Sequence, residues 1–76
     1  MNEAKKKLII DTICGGERMT MCRAKLLLSA SINFVQKEAY QEAEVCNDEA
    51  IKILEKIMFK IKENRSYYNY KLKKSK

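Results

Sequence analysis

A chain of 76 residues holds one domain, and at this length so little surface is buried on folding that a partner or self-association is expected. Hydrophobic residues make up 46% and charged ones 34%, a balance that suits a soluble globular domain and not a disordered one. Apolar runs as short as Leu8-Ile9-Ile10 and Leu26-Leu27-Leu28 fall far below the roughly 20 residues of a membrane span, so no membrane contact is expected.

Lys5, Lys6 and Lys7 are followed by only Leu8, Ile9 and Ile10 before Asp11, too short a run for a secretory leader. Histidine is absent, and Cys14, Cys22 and Cys46 form no C-x-x-C unit. That composition removes the commonest general base, the commonest nitrogen ligand and the usual zinc spacings. A non-catalytic chain without metal or cofactor is expected, with free thiols in a reducing, cytoplasmic compartment.

The first helix should run over about 3–14, with Ala4, Leu8, Ile9, Ile13 and Cys14 on its apolar side, and stop at Gly15-Gly16, where glycine accepts a left-handed cap. A second helix is expected over about 19–36, with Thr20 a candidate N-cap. Its polar stripe, Lys25, Ser29, Asn33 and Gln36, is narrow, and Met21, Ala24, Leu26 to Leu28, Ala30, Ile32, Phe34 and Val35 cover the rest. Such a helix should be covered on more than one side and form the centre of the fold.

The third helix is expected over about 39–64. Ala43, Cys46, Ala50, Ile53, Leu54, Ile57, Met58 and Ile61 share a wide face for the core, with charged residues opposite. Nothing at Lys37-Glu38 stops a helix, so fusion of the second and third helices stays open. The fold expected is therefore all-α: a three-helix bundle in residues 1–64, the short first helix packed on an antiparallel hairpin of two longer ones.

Charge is unevenly spread. Residues 1–64 hold eleven Lys/Arg and ten Asp/Glu, while residues 65–76 hold five basic residues and no acid. In that tail Tyr67, Tyr68 and Tyr70 interleave with Arg65, Lys71, Lys73, Lys74 and Lys76, either extending the third helix or fraying from it. Basic residues attract phosphates and tyrosines stack on bases, so nucleic acid is one candidate partner of the tail; an acidic protein surface is another. Within the third helix the acids come first and the lysines later, as the helix dipole favours.

Ala24, Leu27, Ser31, Phe34, Tyr40, Ala43, Ala50 and Ile53 stand near the small and large positions of a helical hairpin. Over residues 24–57 the chain resembles one tetratricopeptide repeat, or the related microtubule-interacting-and-transport hairpin. That resemblance implies closely approaching antiparallel helices, with Phe34 and Tyr40 filling the wedge beside them, and grooves that hold a partner's helix or peptide. A competing pattern is a helix-turn-helix over Thr20 to Lys37, with Ser29-Ala30-Ser31 as its turn.

Residues that break the bundle pattern complete the candidates. Phe59 points away from the core face, among Lys52, Lys56 and Lys60, and would anchor an interface on the outer side. Arg23 lies on the apolar side of the second helix, within reach of Glu38, Glu42 or Asp11. Asn47 sits among apolar residues, where a polar group sets register or oligomeric state. The function expected is a small protein-binding module, an adaptor, inhibitor or regulatory subunit, whose partner is another protein or a second copy of itself. The alternative is a nucleic-acid-binding regulator using the tail or the helix-turn-helix. The Lys, Ile and Asn content is that of AT-rich genomes, such as those of low-GC bacteria and their phages or other mobile elements.

Overall fold

The computed structural model describes residues 1–18 and 20–74, and among them the chain is an all-α bundle of three helices. These are α1 (Glu3–Cys14), α2 (Met21–Gln36) and α3 (Tyr40–Lys74). Helix α1 is closed at both ends. The Asn2 side chain accepts from the Lys5 backbone N–H at 2.8 Å, and Gly15, at φ 57°, donates its N–H to the Asp11 carbonyl at 2.8 Å.

Helix α2 starts at Met21; Met19, the earliest expected start, lies outside the described residues. Thr20 occupies the N-cap position without capping, since its hydroxyl turns back toward the Arg18 carbonyl at 3.5 Å. The helix runs straight through Ser29, Ala30 and Ser31. The turn that a helix-turn-helix needs there does not form.

Helices α2 and α3 are separate, and the break is made without glycine or proline. Glu38 takes φ 61°, its N–H bonds to the Val35 carbonyl at 3.0 Å, and the Ala39 N–H bonds to the Phe34 carbonyl at 2.8 Å. This pair of bonds around a left-handed residue is a Schellman closure, with glutamate where glycine is usual. Helix α3 then continues for 35 residues, about 52 Å at 1.5 Å per residue, passing Asn64 without interruption. The basic segment is thus a helical extension as far as Lys74; Ser75 and Lys76 lie outside the described residues.

The core is small. Leu27, Cys46 and Ile53 are fully buried, joined by Cys14, Ala24 and Ala50, with Ile9, Ile10, Ile13, Ala30, Phe34 and Ile57 packed around them. Ala24, Ser31, Ala43 and Ala50 keep the α2–α3 contact close, and the Ser31 hydroxyl donates to the Ala43 carbonyl at 3.1 Å across it. Tyr40 is 62% exposed and fills no wedge.

Two expectations fail together. Helix α2 is not covered on several sides, since Met21, Leu26, Leu28, Ile32 and Val35 are exposed; and Leu54, Met58 and Ile61 of α3 are exposed as well. For Met58 and Ile61 the reason is length, and α2 stays open because, among the described residues, its only neighbour besides α3 is the twelve-residue α1. Sixteen residues of α2 span about 24 Å, so α2 covers only about half of α3. The molecule measures 57 × 22 × 19 Å, with a radius of gyration of 16.8 Å where a compact chain of this size has about 11 Å. Among the described residues no helix is long and apolar enough to cross a membrane.

Candidate interaction surface

Side chains from α2 and α3 line an apolar groove of about 380 Å³. Met21, Ala24, Lys25 and Leu28 form one wall, and Asn47, Ala50, Ile51 and Leu54 the other. Helix α1 is not part of it; α1 borders the separate cleft that holds Arg23. The apolar wall on α3 does not end with the groove. Met58, Ile61, Tyr68 and Leu72 continue it along the free part of the helix, and their exposures of 52%, 55%, 61% and 64% rise toward the C-terminal end.

The positions Asn47, Ile51, Leu54, Met58, Ile61, Arg65, Tyr68 and Leu72 are separated by alternating steps of four and three. Such spacing keeps a stripe on one side of a helix, with the 3.5-residue period of a coiled-coil seam. Every residue of the stripe is exposed. Asn47 is therefore not buried among apolar neighbours; it lies at the edge of the groove.

The residues singled out in the sequence fall on different faces. Phe59, Lys52 and Lys56 do come together, bordering a shallow depression with Glu49, Glu55 and Lys60, where Phe59 is 64% exposed. Lys52 makes a 4.0 Å ion pair with Glu49. The tail is divided by the helix. At about 100° per residue, Arg65 and Tyr68 join the apolar stripe, Tyr67, Tyr70 and Lys74 take the opposite face, and Lys71 and Lys73 lie at its two margins. The Lys71 ammonium sits 5.6 Å from the Tyr67 ring centre and Lys74 5.8 Å from that of Tyr70. Tyr67 meets Tyr68 edge to face at 6.0 Å.

Arg23 is half-buried and reaches a backbone group. Its guanidinium donates to the Glu17 carbonyl at 3.0 Å, and its buried Nε has no hydrogen-bond partner among the described residues. No ion pair joins it to Glu38, Glu42 or Asp11 among those residues. Asp11, Glu44, Asp48 and Glu49 line the same cleft, together with Lys6, Lys7 and Lys52, so its charge is mixed.

Thiol chemistry follows burial. Desolvation pushes the Cys14 thiol up, with Arg23 opposing and Glu49, Asp11 and Glu17 assisting. Burial, then Cys14 and Glu42, push up that of Cys46. Both sit in the core as neutral thiols, while Cys22 is exposed. Among the described residues no three His, Cys, Asp or Glu side chains are grouped to hold a metal ion.

What the sequence reading missed is the stripe. Its signal is the four-three spacing, which continues past Asn64 into the segment that the sequence leaves open as extension or fraying. The chain matches no protein-family model, no curated protein and no solved structure.

Proposed function

We propose that this chain is a small, non-catalytic protein-binding module whose working surface is the α2–α3 groove and its continuation along α3. The observation that carries the reading is surplus surface. The chain exposes 6358 Å², against about 4,800 Å² for a folded monomer of 8.9 kDa. The excess of roughly 1,500 Å² is nearly twice the roughly 800 Å² that each partner buries in a standard interface. Met21, Leu28, Ile51, Leu54, Met58, Ile61 and Leu72 are among the exposed residues, and contiguous apolar surface of this kind marks interaction sites.

The tetratricopeptide-like hairpin of residues 24–57 supports the same assignment. Families with that hairpin hold a partner's helix or peptide in grooves between helices, and this chain has an apolar groove between α2 and α3, lined by residues that include Leu28, Asn47, Ile51 and Leu54. An adaptor, inhibitor or regulatory subunit needs no more chemistry than this.

The nucleic-acid reading draws on the face with Tyr67, Tyr70, Lys71 and Lys74. It is the weaker one, because Lys71 and Lys74 already lie over the tyrosine rings on which bases would stack.

The test is co-purification with the tagged chain and with a Leu54→Glu/Ile61→Glu variant, beside a polarisation titration against duplex and single-stranded nucleic acid at two salt concentrations. A protein partner retained by the first and lost from the second supports the module. Salt-sensitive nucleic-acid binding unaffected by the two substitutions would displace it.

A further inference from the structure

We infer that the occupant of this surface is a second copy of the chain, docked through an antiparallel pair of α3 helices. The inference rests on the protein-binding reading and names its partner. The stripe itself is the first argument. In heptad terms Ile51, Met58, Arg65 and Leu72 take the a positions and Asn47, Leu54, Ile61 and Tyr68 the d positions, a seam that packs knobs into holes only against another helix of matching period. A second α3 has that period.

Charge sets the direction. Residues 38–49 carry Glu38, Glu42, Glu44, Asp48 and Glu49 with no Lys or Arg, whereas residues 65–74 carry Arg65, Lys71, Lys73 and Lys74 with no Asp or Glu. A parallel pair would set acid beside acid and base beside base. An antiparallel pair lays the acidic start of each α3 along the basic end of the other, and opposes the two helix dipoles favourably.

The polar members of the seam set the register. A two-fold axis at Lys56, one residue from the midpoint of Tyr40–Lys74, brings Asn47 opposite the partner's Arg65. The same axis places Ile51 against the partner's Ile61 and Leu54 against the partner's Met58, so the apolar centre of the seam meets itself, while Tyr68 falls opposite the partner's Glu44. Asp48 then flanks the partner's Lys62.

Helix α2 joins in without adjustment. The Ser31–Ala43 hydrogen bond fixes the two helices level at that point, so the exposed Ile32 and Val35 lie beside the start of α3, where the partner's Tyr68 and Leu72 arrive. The surface is self-complementary, as a two-fold interface must be. One contact opposes it: the two Glu55 side chains approach each other near the axis.

The experiment is sedimentation equilibrium of the full chain from micromolar to millimolar concentration, with circular dichroism to verify folding of each variant. The expected species is a dimer. Leu54→Glu/Ile61→Glu, at exposed positions, should stay helical and sediment as a monomer. Asp48→Lys and Lys62→Glu should each weaken the dimer by about tenfold, the double reversal should recover most of that loss, and Glu55→Gln should tighten the dimer. A wild-type monomer at millimolar concentration would overturn the second copy as occupant, and a double reversal weaker than both single variants would overturn the antiparallel register. If the monomer nonetheless retains a co-purified protein that Leu54→Glu/Ile61→Glu loses, only this inference falls; if it retains none, the protein-binding reading falls with it.

Discussion

The Ser31 hydroxyl donates a 3.1 Å hydrogen bond to the Ala43 carbonyl, the single side-chain bond between α2 and α3 found among the described residues. That carbonyl also accepts within α3, so removing the hydroxyl strands no buried acceptor. Ser31→Ala should therefore cost only about 0.5–1.5 kcal/mol in urea unfolding. Ser31→Leu, which forces a large side chain into the closest approach of the two helices, should cost about 1–3 kcal/mol and lower the cooperativity of the transition.

The turn between α2 and α3 stores a backbone penalty at Glu38, whose φ is 61°. A left-handed conformation costs an L-residue roughly 1–2 kcal/mol, and glycine escapes it at some expense in unfolded-chain entropy. Glu38→Gly should raise stability by about 0.5–1 kcal/mol, measured as a higher denaturant midpoint with an unchanged slope. Glu38→Val should do the opposite, because a β-branched residue resists that conformation.

Neighbouring residues on α3 should respond very differently to truncation. Ile53 is fully buried, and Ile53→Ala should cost about 2–5 kcal/mol, enough to unfold much of a population this small in core. Ile61 is 55% exposed, and Ile61→Ala should change the unfolding of the dilute monomer by less than about 0.5 kcal/mol. Denaturation curves at one low protein concentration would show the contrast.

The three thiols should separate by reactivity and by alkali. A disulfide reagent should titrate Cys22 rapidly, and Cys14 and Cys46 only as the bundle opens. Because burial raises the folded-state pKa of Cys14 and Cys46 above the ordinary value of about 9, their contribution to stability is complete below that pH. Above it the unfolded chain ionises first, holding fewer thiol protons than the folded one, and stability falls as pH rises toward the folded values. Alkaline unfolding curves of Cys46→Ala should show a smaller decline than those of the parent chain.

How much of this could be read from the sequence depended on which residues carried a signal. The end of α1 was legible because Gly15-Gly16 is a break in chemistry as well as in structure. The α2–α3 break was not, since it is made by glutamate in a conformation that residue type does not advertise. Leu27, Cys46, Ala50 and Ile53 follow the helical period and are buried, but Leu54, Met58 and Ile61 follow it too. Periodicity identifies an apolar face; it does not say where along the helix the neighbour stops. That depended on the unequal lengths of α2 and α3, which the expected ranges 19–36 and 39–64 show only in part; extension past Asn64 stays open beside fraying because no residue there stops a helix and none demands one. Arg23 was legible as an oddity only, because its hydrogen-bond acceptor is the backbone carbonyl of Glu17 and no side chain.

Beyond Ile57 every described residue of α3 is exposed, and this stretch carries Lys60, Lys62, Arg65, Lys71, Lys73 and Lys74. Lone helical segments of this length open readily, and opened backbone is what proteases cut. In a cell the segment would be a timer as much as a surface. Chains whose α3 is covered would persist at full length, while solitary ones would be trimmed at their basic residues back toward the bundle, so the amount of intact protein would report how much of it has found company.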